Sequence, residues 1–281
     1  MSGQTELAAT ALVHARSPVP TTRGVLSVVT AGTSGPDVVL LHGLTDNATT
    51  WLPLQRRLAQ QVRLHAIDLP GHGASAVPSE PMTMAAMAEE VIAYLDAVNI
   101  SKCVLVGNSL GGGVALGVCA RAGMRVSAAL LLGSVGAPFT LDLGLRLLRN
   151  DRAAEWMARA AATQKVRYWI IRRGFPLRYR PTDEMVSNYW KAWQEPGRAR
   201  HIAALMRIHD VGEPLPWLST IRQRVDLLHG SLDRFVPISV SQRLARELPN
   251  ARLTVLPGVG HLPQHDAAQA VSDAVRQLLP S

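Results

Sequence analysis

The sequence has little cysteine, little lysine and no long apolar run. Two cysteines in 281 residues exclude a disulfide scaffold. Cys103 lies in an apolar run and Cys119 in a helix-like run, so both read as small buried hydrophobes of a reducing compartment. The net charge is +8, yet lysine occurs only at 102, 165 and 191, and arginine carries the surplus. The arginines are scattered, with no run of five or more. No zinc-finger spacing, aromatic–basic RNA motif or leucine heptad accompanies them, so the surplus reads as solvated surface and no nucleic-acid partner is expected. No apolar stretch approaches the roughly 18 residues of a membrane span. The segment MSGQTELAATALVHARSPVP lacks a basic start followed by an apolar stretch, so no signal peptide is expected and the cytoplasm is the default location. Nine histidines include no H-E-x-x-H and no partner cysteine pair, so neither a metal nor another cofactor is expected.

What is present suits one large α/β domain with an insertion, at 47% hydrophobic and 18% charged residues. From residue 37 onward, short apolar runs alternate with helical patterns. Strands are expected at 38–42, 62–68, 102–108, 127–134, 225–231 and 251–257. Helical spacing fills 49–61, 82–98, 110–123, 239–248 and 266–279. Such alternation implies crossover connections and a parallel sheet covered on both faces. Two further short strands, near 10–15 and 24–31, are expected at one sheet edge.

The alternation stops between about 136 and 215, where the pattern is helical and four of six tryptophans fall (Trp156, Trp169, Trp190, Trp193). Residues 137–215 hold 14 basic against 8 acidic residues, hence +6 of the net charge. Ligand crevices in such sheets lie at the carboxyl ends of the strands. Residues 136–215 are therefore expected to form a helical cap over a core made of 1–135 and 216–281.

Three stretches carry chemistry. Gly107-Asn108-Ser109-Leu110-Gly111 follows an expected strand and opens an expected helix. G-x-S-x-G in that setting is a nucleophile elbow. The turn is so tight that the serine backbone is strained, and small residues at 107 and 111 let strand and helix approach. The helix N-terminus favours developing negative charge. His261, in a glycine-rich loop after the strand at 251–257, can serve as general base. Asp233, after the strand at 225–231, can fix the tautomer of that imidazole. The chain order is Ser, Asp, His. Of the neighbours, His42, His72 and Asp68 read as loop organisers and His265 as a surface residue.

HGLTDNATTW, DLPGHGAS, GNSLGG, GSLDRFVP and GVGHLPQHD stand together in an order that resembles the α/β-hydrolase family, in its capped serine-nucleophile branch. The resemblance covers about 37–134 and 216–280. It implies a mostly parallel sheet flanked by helices on both faces, with a helical cap inserted after the sixth strand. It implies Ser109 as nucleophile, Asp233 as acid and His261 as base, with the backbone N–H groups of Leu44 and Leu110 as oxyanion hole. Serine rather than aspartate at 109 argues against the epoxide-hydrolase and dehalogenase branches.

The expected reaction is hydrolysis of a small to medium carboxylic ester, thioester or lactone through an acyl-enzyme. Two readings stand beside it. One is hydrolysis of a carbon–carbon bond in a vinylogous diketone acid, because GNSLGG and GSLDRFVP also look like those enzymes. They usually carry a Trp after the catalytic His, where this chain has Leu262, and an Arg before a cap Trp, where an approximate match gives Tyr189 before Trp190. Arg172, Arg173, Arg178 or Arg180 could substitute. The other is a non-catalytic binding protein of the same fold, although such proteins typically lose a triad residue. The partner is expected to be a small acyl compound, with Tyr189 and Trp190 among its contacts.

Overall fold

The computed structural model describes residues 15–137, 139, 149–160, 165, 168, 171–176, 179–191, 197–208 and 217–280. Eight strands form one sheet: β1 Ala15–Pro20, β2 Val25–Ala31, β3 Asp37–Leu41, β4 Arg63–Ile67, β5 Cys103–Asn108, β6 Val126–Leu132, β7 Arg224–Gly230 and β8 Ala251–Leu256. Their order is β1-β2-β4-β3-β5-β6-β7-β8. β1 with β2, and β2 with β4, pair antiparallel, and every other pair is parallel. The expected edge strands are here, but the first is Ala15–Pro20; residues 10–14 of that expectation lie outside the described residues.

Alternation of side chains along the central strands decides the layering. Val39 and Leu41, Leu105, Ala129 and Leu131 face one side. There they meet Met87 and Val91 of α2 (Met84–Ala97), Val114 and Val118 of α3 (Leu110–Arg121) and Val240 and Leu244 of a later helix, Ile238–Glu247. Val38 and Leu40, Val104 and Val106, Leu130 and Leu132 face the other side. Their partners are Leu54 and Leu58 of α1 (Leu52–Leu58), and Val271 and Val275 of the C-terminal helix, Ala268–Arg276. Strands so buried on both faces read as continuous apolar runs.

Two expected helices are broken. The one at 49–61 begins as a 3-10 turn, Ala48–Trp51, capped by the Asn47 side chain, which accepts from Thr49 N–H at 3.0 Å. The one at 266–279 is two pieces, Pro263–Asp266 and Ala268–Arg276, because Ala267 leaves helical geometry.

After β6 the chain departs into a helical cap. Its described helices are α4 Asp151–Ala160, α5 Asp183–Lys191 and α6 Arg198–Ile208. The cap seals itself with Ile171, Phe175 and Val186, and this cluster extends to Leu262 of the core. Trp156 is exposed and Trp190 buried. Trp169, Trp193 and Arg178 lie outside the described residues.

β4 and β5 lie on opposite sides of β3, so the chain reverses its direction of winding there. Crevices open at such a switch point. The loops leaving β3 and β5 carry His42–Asp46 and Ser109.

Candidate active site

Ser109 sits between the last residue of β5 and the first of α3, with φ +52° and ψ −115°. That conformation is strained for a residue with a side chain. Close packing enforces it. A Cβ at Gly111 would collide with the Leu41 carbonyl oxygen, and one at Gly107 with the backbone of Gly111. The Ser109 N–H donates to Leu132 O at 3.0 Å, which ties the turn to β6.

His261 and Asp233 meet. His261 Nδ1 lies 2.7 Å from Asp233 Oδ2, so the Nδ1–H donates to the carboxylate and Nε2 is the nitrogen without a proton. The other oxygen, Asp233 Oδ1, accepts from the N–H groups of Phe235 at 2.8 Å and Val236 at 3.0 Å. Burial pushes the Asp233 carboxyl up, but the His261 imidazole and these hydrogen bonds outweigh it and hold the group below its usual range. Phe235 packs edge-on against the imidazole at 5.2 Å. A second buried imidazole, His229, stands behind the acid. Its Nε2–H donates to Val236 O at 3.1 Å, and its Nδ1 accepts from the Ser241 hydroxyl at 2.8 Å.

Ser109 joins this pair through shared neighbours. A Cβ at Gly133, just past β6, would stand 2.8 Å from Asp233 Oδ2 and 3.2 Å from His261 Nδ1. Asn108, the residue before the serine, donates from its side-chain amide to His261 O at 3.1 Å and to Leu132 O at 2.9 Å. Among the described residues no hydrogen bond joins Ser109 Oγ to the imidazole. Such bonds are often long without substrate and tighten in the complex.

Leu44 and Leu110 flank the serine. A Cβ at Gly43 would stand 3.2 Å from Ser109 Cβ, so the Gly43 backbone runs directly beside Ser109. Leu110 is the first residue of α3, and its N–H has no partner inside the helix. His42 holds this loop: its Nδ1–H donates to Gly43 O at 2.8 Å, and its Nε2 accepts from Leu69 N–H at 3.0 Å. Asp68 organises the adjoining turn, accepting from Ala48 N–H at 2.6 Å and Ala74 N–H at 2.9 Å, and it pairs with Arg16. His72 Nδ1–H donates to Pro70 O at 3.0 Å. These three residues are loop organisers, as the sequence suggested.

His265 corrects an expectation. It does not stand on the surface but on the wall of a cavity of about 250 Å³, with Nε2 2.8 Å from the Thr50 hydroxyl. Burial holds its imidazole down to about 4, so it is neutral. The cavity also touches Asp46, Phe175, Tyr189 and Leu262. Tyr189 lines it with its hydroxyl bonded to Thr45 Oγ1, whereas Trp190 is not among its walls. Arg172 donates to the carbonyls of Phe175 and Pro176 at 3.0 and 2.7 Å. Sequence reasoning missed Asn108 and Asp46. Only their place inside two recognised motifs marked them.

A family model described as the alpha/beta hydrolase family matches residues 38–274. The chain belongs to the alpha/beta hydrolase family. Among its relatives in the family, the chain is 30% identical over 249 residues to a pimeloyl-[acyl-carrier protein] methyl ester esterase of Nitrosomonas europaea, covering 82% of this chain and 90% of that one. It is 29% identical over 230 residues to a 2-hydroxymuconate semialdehyde hydrolase of Pseudomonas putida, covering 79% of each. A solved 2-hydroxy-6-oxo-6-phenylhexa-2,4-dienoate hydrolase from a Rhodococcus strain superimposes with a TM-score of 0.80 at 26% identity, covering 94% of this chain and 98% of that one. As hydrolases of this family go, the present one has no described helix long and apolar enough to cross a membrane, and no described group of three side chains suited to a metal.

Proposed function

We propose that this α/β-hydrolase is a serine carboxylic ester hydrolase. The observation that carries the reading is the 2.7 Å contact between His261 and the buried Asp233, held beside a strained Ser109 at the end of β5. Ser109 Oγ attacks the acyl carbon while His261 Nε2 takes its proton. Asp233 keeps the imidazole in the Nδ1–H tautomer and stabilises the imidazolium. The oxyanion rests on the N–H groups of Leu44 and Leu110, and one such donor contributes about 3–4 kcal/mol. His261 then protonates the leaving alcohol, and water repeats the sequence to free the acid.

Carbon–carbon bond hydrolysis would use the same nucleophile position, and one relative named above has that substrate class in its name. Two features favour the ester. Leu262 follows His261 and is sealed into the apolar cap cluster. Tyr189, where a cation would be expected, is a half-buried phenol bonded to Thr45.

Incubation with a fluorophosphonate probe tests the class. Covalent labelling that disappears in Ser109→Ala supports the serine mechanism, and folded protein that stays unlabelled contradicts it. A panel of chromogenic esters of graded acyl length, run beside one dienol-acid substrate, separates the two reactions. Turnover of the dienol acid with no ester hydrolysis would reverse the assignment.

A further inference from the structure

The turn that presents Asp233 is held from both sides by one residue, Val236. It is 2% exposed, and its N–H donates to Asp233 Oδ1 at 3.0 Å. Its carbonyl is engaged as well, because a buried acceptor without a donor is costly. The donor is His229 Nε2, at 3.1 Å. A carbonyl only accepts, so Nε2 carries the proton and Nδ1 takes the Ser241 hydroxyl at 2.8 Å. His229, at the end of β7, and Ser241, on the helix Ile238–Glu247, are each 1% exposed. A chain of buried bonds therefore runs from that helix through Ser241, His229 and Val236 to Asp233 Oδ1. It leaves Oδ2 to His261, at 2.7 Å.

His229 Nε2 also lies 3.7 Å from Asp233 Oδ2. Two imidazoles thus flank one carboxylate, and a cation at the second position would compete with His261 for its charge. Burial holds His229 down from its ordinary range. Asp233 and the Val236 carbonyl push it up and His261 pushes it down, and burial prevails. Asp233 and His261 are the ionisable groups that bear on it. At neutral pH it is an uncharged ring that donates at one nitrogen and accepts at the other. Leucine would fill the space but leave the Val236 carbonyl and the Ser241 hydroxyl without these partners.

We propose that His229 is a positioning residue, which acts through Val236 to hold the Asp233 carboxylate in the orientation that aims Oδ2 at His261. The inference rests on the serine-hydrolase reading above. Without this bracket the turn 233–236 is free to rotate and Oδ2 withdraws from Nδ1. His261 then loses its tautomer constraint and its charge partner together.

The test follows the rate of fluorophosphonate labelling, and kcat and KM for the best chromogenic ester of the panel, across about pH 5–9. In His229→Leu, kcat should fall about tenfold to a hundredfold with KM little changed, because the base is misplaced while the pocket is not. The acid limb of kcat/KM and of the labelling rate reports the general base of the free enzyme. It should move to lower pH by about one unit, because a withdrawn carboxylate no longer favours the imidazolium. His229→Gln, whose amide both donates and accepts, should recover most of the loss. A merely structural role would lower the melting temperature and leave the acid limb in place. That result, or an unchanged kcat in folded His229→Leu, overturns the proposal. Where His229→Leu does not accumulate as folded protein, Ser241→Ala carries the test. It keeps the imidazole but removes the hydroxyl that fixes its tautomer, so the limb should move the same way by less, and an unmoved limb overturns the proposal. Folded wild-type protein that stays unlabelled sinks the serine-hydrolase reading itself. Labelled wild type whose pH profile superposes on that of His229→Leu sinks the His229 assignment alone.

Discussion

The side-chain amide of Asn108 donates to the main-chain carbonyl of His261 at 3.1 Å, across 153 residues of sequence. The same amide holds Leu132 O, and its oxygen accepts from Gln264 at 3.4 Å. One buried residue thus ties the strand that presents Ser109 to the loop that presents His261.

Asn108→Leu should break that tie. Two carbonyls lose a donor in a buried site, at about 1–3 kcal/mol for an unpaired buried group. Thermal melts should show the loss of stability. Steady-state kinetics should show a fall in kcat larger than the change in KM, since the imidazole is displaced rather than the pocket. Unchanged kcat in a folded variant would mean that the His261 loop is held by other contacts.

Ser109→Ala and His261→Ala should each lower kcat by about 10⁴–10⁶, and the double variant little further, because the pair acts as a unit. Additive losses, measured with the best ester of the panel, would contradict the shared mechanism.

Asp233→Asn should lower kcat by about 10⁴ while preserving the fold, because an amide can hold the imidazole in the wrong tautomer. Near-normal activity would place the orienting acid elsewhere.

Ser109→Gly should abolish activity yet raise the melting temperature. Glycine relieves the positive φ at 109, a strain of about 1–3 kcal/mol. A melting temperature at or below the wild type would show that the turn is not strained in solution. Gly111→Ala should do the reverse: its Cβ meets the Leu41 carbonyl, and the variant should fail to accumulate as folded protein.

Stability should fall as the medium turns acid below pH 6.5. Burial holds the imidazoles of His42, His65, His72, His201, His229 and His265 down from the ordinary 6.5, the last to about 4. The unfolded chain binds these protons first, so each stabilises the fold above 6.5 and loses that contribution as pH drops toward its folded value. Asp46 runs the other way: its carboxyl, raised by burial to about 7, favours the fold as pH falls from 7 toward 4. Six imidazoles outweigh one carboxyl. Melting temperatures from pH 8 to 4 should decline, and His265→Gln should flatten part of the slope. A rise toward acid would mean that these imidazoles are hydrated in solution.

Much of this molecule is written locally. The apolar runs at 38–42 and 102–108 specify buried parallel strands because only such strands hide side chains on both faces. G-N-S-L-G specifies a turn that no larger residue at 111 could make, so the sequence alone located the strained serine. The spacing of Asp233 and His261 after their strands placed both at the carboxyl edge, because a parallel sheet aligns its strand ends. The tertiary structure alone decided the rest. Asn108 is one letter inside a motif until β6 and the His261 loop close around its amide. His265 looks like a surface histidine until the cap lays Phe175 against it at 5.9 Å. The cavity that gathers Asp46 and Thr50, Tyr189 and His265 exists only because three distant stretches pack together. Periodicity along a chain fixes which face a residue takes. It carries no information about which side chains meet once distant segments have packed.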